Sequence, residues 1–329
     1  MIRAGFIGMG LMGRRHAENL LQMENAKIVA LCSDPIDNAE DFKKEKNLNV
    51  NIYDNGFKMI ENETLDLLYI CIPPFAHSGQ LEYAAEKGIH VFVEKPIAHT
   101  VERAKSMVEA VHKFGIYTQV GYHMRFGGAV QKFLEMLNNG TAGKPLLFTA
   151  HYECNSEHTP WWRDVNKSGG QVFEQVIHLY DMAINIMGDI VSVGGHIANL
   201  NHTHIKDYTV EDTSIANLVF SNGAMGSITG SNCAVKNEWN ARFRVVCQHM
   251  IANFEDHNTA EFIYTNTDEK ITENIHCDDN AILNEDKYFL SVVEGKNKPI
   301  ATLTDGLKGL QTVSSVVTSS LKQGNTIII

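Results

Sequence analysis

Short, wholly apolar runs alternate with stretches of helical spacing through the first third of the chain. Residues 2–7, 27–34, 67–72, 89–94 and 116–120 read as strands, while 14–23, 80–87 and 101–114 space their apolar residues as helices do. Strands apolar on both faces and separated by helices predict a parallel sheet covered on each side. Beyond residue 121 the pattern changes. Helical stretches at 126–138 and 171–187 flank an apolar run at 146–152, and strand candidates follow at 190–200, 213–220, 224–230, 242–247 and 250–254. Ser221, Asn222 and Gly223 form a turn signal between two of them, which predicts antiparallel pairing. The expected fold is α/β: a doubly wound parallel sheet over residues 1–121, then an α+β domain over 122–329 with a large open-faced, mostly antiparallel sheet. A broad sheet face left to water is costly, so the open face is expected to pack on a second subunit.

The loop after the first strand adds chemistry to this outline. Gly8, Met9, Gly10, Leu11, Met12 and Gly13 carry three glycines at G-x-G-x-x-G spacing, between a strand and a helix. Such a turn lets a pyrophosphate approach the backbone and meet the free N–H groups of the helix start. Ser33 and Asp34 close the next strand, and Asp34 lies 21 residues beyond Gly13, where a carboxylate binds the adenosine ribose. The amino-terminal domain is therefore expected to be a Rossmann dinucleotide-binding domain. Asp34 should repel the 2′-phosphate of NADP, so NAD is the expected cofactor, with NADP the other candidate.

A second chemical signal is Glu94, Lys95 and Pro96, which place an ammonium group at the carboxyl end of an apolar strand. That end faces the ligand crevice in an open parallel sheet. A third lies between Trp161 and Asp181, where Gly169 and Gly170 lead a helix carrying Glu174 and His178 four residues apart. One face of the helix then holds a proton-exchanging imidazole and a carboxylate able to orient it. Such a pair also suits a metal or a plain surface contact; HExxH is absent, a third ligand is not evident, and no metal is expected. His202 and His204 have H-x-H spacing but read as a solvated loop.

Composition narrows the partners. A net charge of −11 over 329 residues opposes nonspecific binding to nucleic acid or an anionic membrane. Six scattered cysteines without a C-x-x-C pair read as reduced thiols of a cytoplasmic protein. No apolar run is long enough to span a membrane.

Taken in order, the glycine loop with His16, Pro73 and Pro74 with His77, the Glu94-Lys95-Pro96 triplet, the segment Gly121 to Phe126, and Gly169, Gly170, Glu174, His178 and Asp181 resemble the Gfo/Idh/MocA oxidoreductase family (glucose-fructose oxidoreductase, inositol dehydrogenase, rhizopine catabolism). The resemblance covers nearly the whole chain. It implies NAD(P)-dependent hydride transfer at a secondary alcohol or ketone of a sugar, cyclitol or related polyol, in a homo-oligomer, dimer or tetramer, paired through the carboxy-terminal sheet. It places Lys95 against nicotinamide ribose and substrate, and makes His178 the acid/base group. Glu174 stands where the family usually has aspartate, and His123 where relatives often carry asparagine. Ile72, Pro73, Pro74, His77, Glu94 and Arg163 fall on the cofactor side by the same likeness. Tyr122, His123, Arg125 and Trp162 join Lys95, Glu174 and His178 as pocket residues, with Arg125 equally able to form a salt bridge between domains. Two other functions remain open: a glycoside-cleaving enzyme that oxidises its substrate transiently with NAD, and a silent NAD-binding regulator.

Overall fold

The computed structural model describes residues 1–329. It divides into two compact units, Met1–Gly121 with Ile282–Leu307, and Tyr122–Ala281 with Lys308–Ile329. In the first unit, β1 (Ile2–Ile7), β2 (Ala26–Cys32), β3 (Asn51–Tyr53), β4 (Leu67–Ile70), β5 (His90–Val93) and β6 (Thr118–Val120) form one sheet. Its order is β3-β2-β1-β4-β5-β6, and every neighbouring pair is parallel. The order reverses between β1 and β4, so the carboxyl ends of these two strands flank the crevice in which such sheets bind ligands. Helices alternate with the strands as the periodicity predicts. Val101–Phe114 illustrates why: the Thr100 hydroxyl accepts from Arg103 N at its start, and Gly115 takes a left-handed φ of 68° at its end.

The sequence outline ran one domain from 122 to 329, whereas residues 282–307 belong to the first unit. The cause is an aromatic stack. Phe6 and Tyr69 lie 4.6 Å apart, Tyr69 and Phe92 4.9 Å, and Phe92 meets Phe289 of helix Ala281–Val293 at 6.2 Å. Burying Phe289, Leu290 and Val292 there contributes roughly 1.5–3 kcal/mol per large side chain. The returning segment also covers edge strand β6: Val120 N donates to Ala301 O at 2.8 Å and Leu303 N to Thr118 Oγ1 at 3.2 Å.

The second unit is built on β7 (Pro145–Cys154), β8 (Ile190–Ala198), β9 (Thr213–Phe220), β10 (Met225–Ser231), β11 (Trp239–Cys247), β12 (Met250–Phe254), β13 (Thr259–Tyr264), β14 (Ile271–His276) and β15 (Ile327–Ile328). They join in the order β14-β13-β12-β11-β7-β10-β9-β8-β15. All pairs are antiparallel except β7 with β10, which sets the long β7 in the middle of the sheet. The Ser221-Asn222-Gly223 turn joins β9 to β10 as its residues predict, with Gly223 at φ 85°. Phe148, Leu218, Ile228, Phe243 and Val245 point to the buried face, and the apolar helix Ile177–Met187 packs on β7 and β10. No helix is long and apolar enough to cross a membrane.

Candidate active site

In the first unit the glycine loop is fixed by close backbone approach. Gly8 has φ 94°, and a Cβ there would lie 2.3 Å from Cys71 O and 2.9 Å from Ile72 Cγ2. A Cβ on Gly13 would lie 1.9 Å from Gly8 O, so the strand-to-helix turn closes only with hydrogen at both positions. Gly10 differs: a Cβ there meets nothing within 4 Å. It precedes helix Leu11–Leu20, whose first turn carries no acidic side chain. Open space before a helix start, with backbone N–H groups near it, fits a pyrophosphate. Met9 N donates to the buried Ser33 Oγ at 3.3 Å, which ties the loop to the end of β2, and the next residue, Asp34, is exposed. Gly8 to Gly13, Ser33 and Asp34 thus fit a dinucleotide. Leu11 is exposed and Met9 buried, so within the loop Leu11 presents its side chain to solvent while Met9 anchors the turn.

Pro73 leads a short turn, Pro74–Ala76, and His77 follows, buried. Burial, aided by the Arg103 charge, pushes the His77 imidazole down to about 3, so it is neutral. At the end of β5, Glu94 is buried and its carboxylate accepts from Lys95 N at 3.1 Å. The same carboxylate lies 3.0 Å from His16 Nε2, and His16 Nδ1 lies 2.8 Å from Asp286. Asn19 donates to Asp286 at 2.7 Å, and the Tyr69 hydroxyl reaches it at 3.2 Å. Burial opposes a charge on His16, yet Asp286 and then Glu94 raise it well above 6.5, so it is an imidazolium. Sequence reasoning quoted His16 only within a motif and missed Asp286, which arrives from the returning segment. Lys95 itself is half-buried.

Glu174 and His178 belong to the second unit. The expected helix over 171–187 is two elements, a π-helical turn Val172–Val176 and helix Ile177–Met187. His178 is buried and Glu174 partly so. The His178 ring meets Tyr122 edge-on at 6.2 Å and His123 at 4.7 Å, and His123 meets His257 at 5.4 Å. The structure therefore groups Tyr122, His123 and His178, and adds His257, which no sequence signal indicated. Burial lowers the His257 pKa, with Asp256 pulling the other way. Arg125 Nε and Nη2 bind the Asp181 carboxylate at 2.9 and 2.6 Å, a buried bidentate pair within the second unit. It pins the turn His123–Phe126 to the His178 helix.

Trp162 is buried, stacked on His158 at 3.9 Å, and packs with Tyr208 and Val210 in a small cluster beside Trp161 and Ile205. Its indole thereby holds the loop before the helix. Arg163 is half-buried, and its carbonyl accepts from Thr209 N at 2.9 Å. The loop of His202 is not simply solvated, because His202 is buried, stacks on Tyr208 at 4.6 Å and faces Asp212 at 3.0 Å. His202, Asp212 and Cys233 bring their ligand atoms within 4.8 Å of one another, but Asp212 is already engaged. Although burial opposes it, N–H groups of Leu200, Asn201 and His202 hold its carboxyl down at about 2.

Comparison with known proteins identifies the family. Residues 2–122 match a family described as oxidoreductase family, NAD-binding Rossmann fold, and residues 130–252 match the GFO/IDH/MocA C-terminal domain. A scyllo-inositol 2-dehydrogenase (NAD(+)) of Bacillus subtilis (strain 168) is 30% identical over 233 residues, 70% of this chain and 67% of that protein. A myo-inositol 2-dehydrogenase of Thermotoga maritima is 30% identical over 235 residues, 71% of this chain and 70% of that protein. A levoglucosan dehydrogenase solved with NADH and L-sorbose has the same fold, at a TM-score of 0.90 and 19% identity, covering 100% of this chain and 98% of its own. The chain belongs to the Gfo/Idh/MocA family, oxidoreductases with an NAD-binding Rossmann fold.

Proposed function

We propose that the protein oxidises a secondary alcohol of a cyclitol, sugar or related polyol with NAD, using Lys95, His178 and Glu174. The observation that carries this reading is the buried His178 on a helix pinned by the Arg125–Asp181 pair, with Glu174 one turn earlier. Two relatives named as inositol 2-dehydrogenases support the substrate class. NAD would be held at its pyrophosphate by the Gly8–Gly13 backbone and at its adenosine ribose by Ser33 and Asp34, and its nicotinamide would supply the hydride acceptor. His178 takes the hydroxyl proton, with its ring kept in a largely dry setting that favours a defined orientation. Lys95 offers positive charge to the developing alkoxide. Glu174 orients the imidazole or binds a neighbouring hydroxyl. Ile72, Pro73, Pro74, His77, Glu94 and Arg163 shape the nucleotide side; Tyr122, His123, Arg125 and Trp162 shape the pocket. The exposed Asp34 carboxylate favours NAD over NADP, whose extra phosphate it repels.

The same reading includes pairing through the outward face of the large sheet. Val219, Met225, Leu147, Val246, Ile251 and Ile263 lie in register as one apolar row across six strands. Arg244 and Glu261 in the adjacent row offer opposite charges, as a self-complementary two-fold interface requires. A change of Met225 to Glu should shift the protein to a smaller species by light scattering.

The direct test is a panel of inositols, aldoses and glucosides with NAD and with NADP, following reduced nicotinamide. Lys95→Ala and His178→Ala should each lower turnover about 100-fold or more while nucleotide binding is kept. Near-normal turnover in either variant overturns these roles. Cleavage of a glucoside without net reduced nicotinamide would point instead to transient oxidation.

A further inference from the structure

The start of the His178 helix is held by a residue far from it in sequence. Glu211 is buried and precedes β9, and its Oε1 accepts from Val172 N at 2.7 Å. The N–H groups of Glu211 itself and of Gln171 also favour the charged form of this carboxylate. Gly170, at φ 109°, makes the approach possible: a Cβ there would lie 2.3 Å from Glu211 Oε2. The carboxylate therefore sits against the free N–H groups that open the π-helical turn Val172–Val176. Seven residues after Gln171 comes His178, and the Arg125–Asp181 pair fixes the helix one turn beyond it. His178 is thus carried between two anchors, one of them Glu211.

We propose that Glu211 is a positioning residue for His178 and Glu174, whose carboxylate clamps the amino end of their helix and sets how firmly the turn is held. The proposal deepens the dehydrogenase reading and rests on it for its effect on turnover. Burial pushes Glu211 up from 4.5 to about 7, against the pull of the N–H groups of Val172, of Glu211 itself and of Gln171, and Asp212 adds to the rise. The groups that act on it are Asp212, next to it in the chain, and Tyr180 of helix Ile177–Met187, whose own hydroxyl is raised by burial and by Glu211. Burying the charged form costs more than those N–H groups return, so the clamp loosens as pH rises through neutrality.

Hydrogen exchange read by mass spectrometry tests the clamp without any substrate. After correction for intrinsic rates, residues 171–178 of the wild type should lose about tenfold protection between pH 6 and pH 8. Glu211→Gln keeps an acceptor without the charge and should show a flat profile; Glu211→Ala should be flat and lower still. β8 serves as the control and should not change. With myo-inositol, or whichever polyol the panel finds, Glu211→Gln should lose the part of the kcat profile that falls above pH 7 and keep the wild-type KM for NAD. A merely structural glutamate would lower the melting temperature and leave that profile intact. Wild-type protection in both variants at both pH values overturns the clamp. A wild type that turns over no polyol but shows the exchange pattern sinks the dehydrogenase reading and leaves the clamp standing.

Discussion

Glu94 and Glu211 are buried to nearly the same degree, one in each unit, and their surroundings differ in kind. Glu94 faces an imidazolium, His16, which Asp286 holds from the other side. Glu211 faces backbone N–H groups at a helix start, with a second carboxylate beside it. Charge set against charge fixes a protonation state across the neutral range, whereas peptide dipoles alone leave a buried carboxyl able to change it. The Glu94 centre of the first unit is thus built for constancy and the start of the His178 helix for adjustment.

The largest effect that could break this contrast is expected at Asp286. Asp286→Ala strips the partner from a buried imidazolium and from Asn19 and Tyr69, and should cost about 3–5 kcal/mol by urea denaturation. A cost under about 1 kcal/mol would mean that the cluster is not a charged lock. Next in size is Glu211. Its folded pKa is raised, so the stability it contributes is complete below 4.5 and is lost as pH climbs through about 7. The wild type should therefore lose about 3 kcal/mol relative to Glu211→Gln between those limits, read as paired denaturation curves. His16 follows the same sign in a different window: its contribution is complete below 6.5 and disappears only as pH passes its well-raised value. His16→Gln should flatten the alkaline fall in stability, and leave the change near pH 7 untouched.

Gly10→Ala sharpens the picture of the first unit with a smaller effect. Since a methyl there meets no protein atom within 4 Å, the melting temperature should hold, while NAD binding by calorimetry weakens about tenfold. The smallest expected change is His123→Asn, which should keep turnover within about fivefold. A much larger loss would place His123 in the proton-transfer set with His178.

Much of the first unit was legible because a sheet buried on both faces writes itself as uninterrupted apolar runs, and because glycines at Gly8 and Gly13 are demanded by backbone contact. The large sheet was readable where one face is buried, as in β9 and β12. It was lost at β13 and at the edge strand β14, the latter mostly exposed and showing little alternation. Helix Leu303–Leu321 was also missed. It is rich in serine, threonine and valine and includes Gly306, which local propensity disfavours. Tertiary fit explains that glycine, because a Cβ on Gly306 would lie 2.8 Å from Ile97. At the candidate site, Lys95, Glu174 and His178 were visible as motifs. Asp286 and Glu211 were not, since each acts on residues more than thirty positions away and no local spacing encodes such a partner.

The aromatic stack that ends in Phe289 has a bearing on biosynthesis. A ribosome delivers residue 121 long before residue 289, so the nucleotide-binding unit waits, with its sheet partly uncovered, until about 160 intervening residues have emerged. A truncated transcript ending at the last parallel strand would yield a sticky fragment, and excising codons 122–281 would strand residues 308–329, which belong to the second unit.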